Sequence, residues 1–318
     1  MSCPTPVLLI AFNRPDRLLR LIDAVRLAAP DRVYVAIDGP RSGNADDVTG
    51  VAACRELVSR IDWTEDIRLL ARQSNLGCGR AVSGAIDWFF AAEERGIILE
   101  DDLVPDVTFF DFCTELLERY ADTPEVFAIS GCNVVPEQHM ASTHAYRFTQ
   151  IPQIWGWATW RRSWNQYALD IQGWRRGLPP RRRWQAMGRS LTGVAYWSAL
   201  FDLLAGGRID TWDGQLVYAA MRTRGLTAIS NVNLVANEGF GADATHTVRR
   251  PDFLRPIQSL AIPLEPPDRI PLRVDHRADR WMRVVAYQAT WLGLARQGAR
   301  YLSRRRSAER QREGDSGR

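Results

Sequence analysis

The first 135 residues alternate between two hydrophobic patterns. Unbroken apolar runs of strand length stand at 6–12 (PVLLIAF), 32–38 (RVYVAID), 67–71 (IRLLA), 96–100 (GIILE) and 126–130 (VFAIS). Runs this short and this continuous predict strands covered on both faces. Between them, 15–28, 46–60, 78–94 and 106–121 read as helices; in the third, Val82, Ile86, Phe89 and Phe90 recur at helical spacing. Strand–helix alternation predicts right-handed βαβ units and an α/β fold. Its mainly parallel central sheet would be flanked by helices, with ligands gathering at the carboxyl ends of the strands.

Beyond residue 136 the alternation loosens. IPQIWGWATWRRSW (151–164), a helix-like 191–205, DTWDGQLVYAAMRTRGL (210–226) and a strand-like TAISNVNLV (227–235) lead into the glycine-rich NEGFGADATHT (237–247). This pattern predicts one domain over 1–250, with a first half at 1–135 and a second at 136–250. A proline-rich connector at 251–277, a basic amphipathic helix at 278–303 and a disordered tail at 304–318 would follow.

Each strand of the first half empties into polar residues: Asn13-Arg14-Pro15-Asp16, Asp38-Gly39-Pro40, Asn75 to Arg80, and Glu100-Asp101-Asp102. Three adjacent acids at the end of a buried strand repel one another and lose solvation. A lone triplet of this kind fits a surface turn. Four polar clusters on one rim favour a divalent cation instead, held by hard oxygen ligands suited to magnesium, manganese or calcium. The glycine turn between Asn75 and Arg80 opens a helix and offers an anion cradle, although a plain strand-to-helix turn explains it equally well. Its spacing, GxGxxxxG, is not that of a dinucleotide-binding loop.

Composition narrows the chemistry. All 41 basic residues are arginine. The absence of lysine excludes the Walker loop, Schiff-base catalysis and the kinase ATP lysine. The five cysteines are scattered without metal-ligand spacing, which predicts free thiols in a reducing compartment. No signal peptide or membrane span is evident, so a cytoplasmic protein is expected. Residues 271–318 carry twelve arginines against five acids, leaving the rest of the chain net negative. A nucleic-acid-binding body is therefore not expected.

The ordered series PVLLIAFNRPD, VAIDGPR, NLGCGRAVSGAIDWFF, GIILEDDLVPDVTFF, IWGWATW, TWDGQ and NEGFGADATHT resembles the GT-A glycosyltransferases. Within them it is most similar to the N-acetylglucosaminyltransferase I type and its bacterial relatives, over about residues 5–247. The resemblance implies a UDP-sugar donor, GlcNAc among the candidates, and manganese or magnesium as cofactor. It makes Asp102 the metal ligand, with Asp101 and Glu100 near the ribose or the ion's waters. Arg14, beside Asn13, would lie near the diphosphate, Asp38 would accept from the uracil N3–H, and Asp213 would be the catalytic base. Gly214 departs from the pattern, which has a second acid there. Glycosyl transfer with inversion needs these residue types: cationic groups for the leaving diphosphate and one carboxylate for the acceptor hydroxyl. The acceptor would be a glycan or lipid-linked glycan. A sugar-nucleotide transferase of pyrophosphorylase type and a non-catalytic nucleotide-sugar sensor are the alternatives.

Three further residues enter on their own chemistry. Arg80 flanks the cradle, Trp157 could stack on a sugar, with Trp155 and Trp160 nearby, and His246 follows a glycine-rich loop able to close over a donor. In the C-terminal helix, Trp281, Val284, Val285, Trp291, Leu292, Ala295 and Leu302 fall largely on one face, with Arg283, Arg296, Arg300 and Arg304–Arg306 elsewhere. Such a helix packs on the domain or lies on the anionic inner face of a membrane.

Overall fold

The computed structural model describes residues 2–240, 251–266 and 269–298. In the first half, β1 (Val7–Ala11), α1 (Pro15–Ala28), β2 (Arg32–Ile37), α2 (Ala45–Glu56), β3 (Asp66–Ala71), α3 (Cys78–Ala92) and β4 (Arg95–Glu100) alternate. A short β5 (Leu103–Pro105), α4 (Val107–Arg119) and β6 (Val126–Ser130) follow. Pro15 opens α1, where its fixed φ suits a helix start. The stretch expected as one helix over 46–60 is α2 plus a 3-10 turn at Leu57–Arg60.

The second half adds β7 (Tyr146–Thr149), β8 (Trp157–Trp160) and the short helices α5 (Arg161–Trp164), α6 (Trp174–Gly177) and α7 (Pro180–Ala186). Then come α8 (Leu191–Ala205), α9 (Asp213–Thr223), β9 (Leu226–Ser230) and β10 (Val235–Asn237). Eight strands form one sheet in the order β3-β2-β1-β4-β8-β6-β9-β7. β3, β2, β1 and β4 run parallel, as do β6 and β9, whereas β8 is antiparallel to both its neighbours and β7 to β9. The fold is α/β with a mostly parallel central sheet flanked by helices.

Alternation along β1 explains its unbroken apolar run. Val7, Leu9 and Ala11 join the core under α1 and α4, while Leu8 and Ile10 join the opposite core under α3 with Ile86, Phe89 and Trp157. A third cluster, including Trp174, Trp197, Phe201 and Met221, holds α6, α8 and α9 together.

Chain order reverses between β1 and β4. From β1 the chain moves outward through β2 and β3, then returns to place β4 on the other side of β1. In such sheets the crevice for a ligand opens at that reversal. Ile10 lies in register with Glu100, so the residues following β1 and those ending β4 share one rim.

The strand expected over 227–235 breaks at Ser230. There Asn231 accepts from the Arg147 guanidinium at 2.7 Å and Asn233 from the Asn133 backbone N–H at 3.1 Å. The chain then crosses to pair β10 antiparallel with β5, next to the acidic triplet.

The single helix expected over 278–303 is interrupted. α10 (His276–Trp281) passes into a π-helical turn at Met282–Ala286, the chain bends at 287–290 with Gln288 at φ 50°, and helix resumes over 291–298. Ala278 and Met282 pack against Cys132, Val134, Val135 and Met140. The Asp275 carboxylate accepts from the Ala141 N–H at 2.8 Å, and Asp279 accepts from the Thr149 hydroxyl at 2.6 Å. Residues 299–318 lie outside the described residues. Among those described, no helix is long and apolar enough to cross a membrane.

Candidate functional site

Arg14 follows β1 and Asp101 follows β4, and the two meet across the β1–β4 reversal. The Arg14 guanidinium donates to both Asp101 oxygens, through Nε at 3.3 Å and through Nη2. Its Nη1 stands 3.7 Å from Asp102 Oδ2. Asp101 is thus committed to the arginine, while Asp102 is the acid less engaged by it. Burial pushes Glu100 up to about 8, with the charges of Asp102, Asp101 and Asp213 adding to the effect. Burial likewise pushes Asp101 up to about 6, against the pull of Arg14.

Asp213 comes from the other half of the chain. It opens α9, where Oδ1 accepts the Gly214 N–H at 2.8 Å and the Thr211 hydroxyl at 2.5 Å, fixing the carboxylate's orientation. Its charge also acts on Cys78, whose thiol is pushed up to about 12 by burial and by Glu100, Asp210 and Asp213. The sequence-distant acids Glu100, Asp210 and Asp213 therefore surround one spot beside the start of α3.

Glu100, Asp101 and Asp102 act together on the guanidinium of Arg14, and the charge of Asp213 reaches Glu100. Among the described residues, no group of three or more His, Cys, Asp or Glu side chains could hold a metal ion by itself. Excess negative charge and a weakly engaged Asp102 still fit a divalent cation whose coordination is completed by oxygens of a bound ligand. The chain closes over this point after β10. Glu238 N–H donates to the Asp102 carbonyl at 2.8 Å, and a Cβ at Gly239 would lie 2.2 Å from Asp102 Oδ2, so a side chain there would displace the Asp102 carboxylate. His246 lies outside the described residues.

Other expected site residues are engaged within the protein. Asn13 donates to Asp47 at 2.7 Å, and Asp47 also accepts from Arg41 Nε at 2.6 Å and Nη2 at 2.8 Å. Asn13 thereby ties the end of β1 to the start of α2. Asp38 is buried and accepts from Asn75 Nδ2 at 2.8 Å and the Leu76 N–H at 3.1 Å. Burial raises its pKa. It fixes the loop after β3, which leaves it a smaller part in base recognition than the resemblance implies. Arg80 is exposed on the first turn of α3.

Two readings are corrected. Trp157 is 1% exposed and stacks on Trp212, with centroids 5.6 Å apart and planes at 24°. Its ring is core rather than an open sugar platform, stacked on the residue that precedes Asp213. Trp160 is likewise buried, while Trp155 meets Phe240 edge-on at 6.0 Å. The anion cradle, for its part, is filled by the protein: Asp210 accepts the Cys78 and Gly79 N–H groups, each at 2.9 Å. Sequence reasoning missed Asp210. The glycine turn signalled an anion, but nothing local showed that the chain supplies it.

No family model matches the chain, and no curated protein does. Solved structures similar to it include HddC from Yersinia pseudotuberculosis, at 8% identity and a TM-score of 0.31, covering 50% of this chain and 77% of that one. Another is a UDP-glucose pyrophosphorylase complexed with UDP-glucose, at 8% identity and a TM-score of 0.34, covering 72% of this chain and 90% of that one. The reading of function therefore rests on the site itself.

Proposed function

We infer that the chain is a metal-dependent glycosyltransferase that moves a sugar from a UDP-sugar to a hydroxyl of a glycan or lipid-linked glycan. The observation that carries this reading is the meeting of Glu100–Asp102 and Arg14, at the β1–β4 reversal, with Asp213 from the opposite half. Asp102 would hold manganese or magnesium, which when bound stabilises negative charge developing on the leaving diphosphate. Asp101 holds the Arg14 guanidinium in one orientation, so that its remaining N–H edge can meet diphosphate oxygens. Asp213, oriented by Thr211 and Gly214, takes the proton of the attacking hydroxyl. A single base on the acceptor side suits inversion. The pyrophosphorylase alternative usually carries a glycine-rich N-terminal signature, and AFNRPD contains no glycine.

The test is UDP release from UDP-GlcNAc and related donors with manganese, by transfer or slow hydrolysis, in the parent and in Asp213→Asn. The variant should keep UDP binding and lose turnover by roughly 10²–10⁴-fold. Loss of UDP binding with residual turnover unchanged would make Asp213 a donor ligand. Binding without any UDP release by the parent would replace the transferase reading with a sensor.

A further inference from the structure

Two segments far apart in sequence, each bearing exposed apolar side chains, meet beside α8. Arg283 joins them: its Nη1 donates to the Gly188 carbonyl at 3.2 Å, and its stem lies close to Gly193. Next to it, the Tyr287 ring packs 5.4 Å from Trp197 and 5.9 Å from Tyr196. Gln297 donates to the Tyr287 carbonyl at 3.2 Å, which folds 291–298 back onto the same corner. Large apolar side chains remain in solvent here: Leu191 is 69% exposed, Trp291 64% and Leu292 62%, with Trp184, Val284 and Val285 also exposed. Among the described residues, six of the 13 exposed large hydrophobic side chains fall in these two short stretches, so the clustering is local.

The charge around this surface has one sign. Residues 181–201 contain four arginines and no acid, and 280–298 contain three arginines and no acid. Arg181, Arg189, Arg280 and Arg296 are exposed. Apolar side chains amid exposed arginines match the interface of an anionic bilayer, where tryptophan and aliphatic groups enter the acyl boundary and guanidinium groups meet headgroup phosphates. A nucleic acid would also meet the arginines, but phosphate contacts give exposed Leu191, Val284, Val285 and Leu292 no partner.

We propose that the composite surface formed by 181–191 and 280–298 docks the protein on an anionic lipid bilayer. This differs from a free amphipathic helix lying on a membrane, because Trp184 of α7 and Leu191 at the start of α8 belong to the contact. Tyr196 and Tyr287, which pack together beside this surface, both feel the charge of Asp213. On the glycosyltransferase reading, which this consequence rests on, docking would bring the acceptor side of the site close to lipid-borne acceptors.

The experiment is flotation of the full chain with vesicles of phosphatidylcholine alone and of an equimolar mixture with phosphatidylglycerol. Retention is expected on the anionic vesicles only, and it should fall as salt rises. The pair Arg181→Glu and Arg189→Glu, and separately Leu191→Ser with Leu292→Ser, should each lower retention by about tenfold or more. In the unaltered chain, brominated phosphatidylglycerol should quench tryptophan fluorescence through Trp184 and Trp291, a readout that needs no variant. Absence of retention on anionic vesicles at low salt overturns the proposal. So does retention that the Arg181/Arg189 pair leaves unchanged, or capture by a single-stranded oligonucleotide with none by vesicles. No donor or metal is present, so failure here leaves the transferase reading standing, and failure of turnover leaves the bilayer contact standing.

Discussion

The Asp210 carboxylate caps the first turn of α3, its Oδ1 accepting the Gly79 N–H and its Oδ2 the Cys78 N–H, each at 2.9 Å. Asp210 belongs to the lead into α9, so this pair of hydrogen bonds joins the two halves of the domain at the candidate site. Thr211 and Asp213 follow directly, which makes Asp210 a positioning residue for the proposed base.

Asp210→Ala should therefore cost about 1–2 kcal/mol of unfolding free energy, the usual worth of a lost helix cap with its donors left open. Gly79→Ala acts on the same contact, because its Cβ would lie 2.8 Å from Asp210 Oδ1 and 3.0 Å from the Thr211 carbonyl. Urea unfolding of the single and double variants should give a coupling of at least about 0.5 kcal/mol. Strictly additive losses would show that the two positions do not share this interaction.

Asp47 supplies a pH signature. Hydrogen bonding to Arg41, followed by the Arg41 backbone and Asn13, holds its carboxyl down at about 2, below the unfolded value of about 3.9. A depressed carboxylate stabilises the fold above its unfolded pKa and loses that contribution as pH falls from about 4 toward 2. The stability gap between the parent and Asp47→Asn should be full at pH 6 and shrink through that window. A gap independent of pH would mean that Asp47 acts through shape rather than charge.

Trp157 separates a core role from a sugar platform. Trp157→Ala should cost about 3–5 kcal/mol, because it removes a buried ring stacked on Trp212. Trp157→Phe should cost less. Unaltered stability together with weakened donor binding would restore the stacking role.

Much of the sheet was legible because its strands are covered on both faces, so β1, β2, β4 and β6 stand out as unbroken apolar runs. The reversed β8 was not: WATW is four residues long, and its direction is set by Arg95, Ile98 and Ser130 pairing from other strands. Asp102, Arg14 and Asp213 were readable as chemistry; in the structure Arg14 Nη1 stands 3.7 Å from Asp102 Oδ2, while Asp213 opens α9. Asn13 and Asp38 carried the same kind of signal, yet their side chains face Asp47 and the Asn75–Leu76 loop. Asp210 was invisible because its partners lie some 131 residues away. In the C-terminal segment, apolar spacing continues through Gln288, where the backbone turns left-handed and the helix stops. Met282 then faces the domain while Val284 and Val285 face solvent, a division that periodicity alone does not reveal.

The central claim is that the Asp102 carboxylate, beside Arg14, supports a cation that holds the donor's diphosphate. Titration calorimetry of UDP into the protein with manganese, with the metal chelated, and in Asp102→Asn tests this most directly. Asp102 is a rim residue, so the variant should unfold with the parent. UDP should bind the parent only with manganese, and Asp102→Asn should lose that metal-dependent binding. Undiminished manganese-dependent UDP affinity in Asp102→Asn, or equal affinity with the metal removed, would contradict the account.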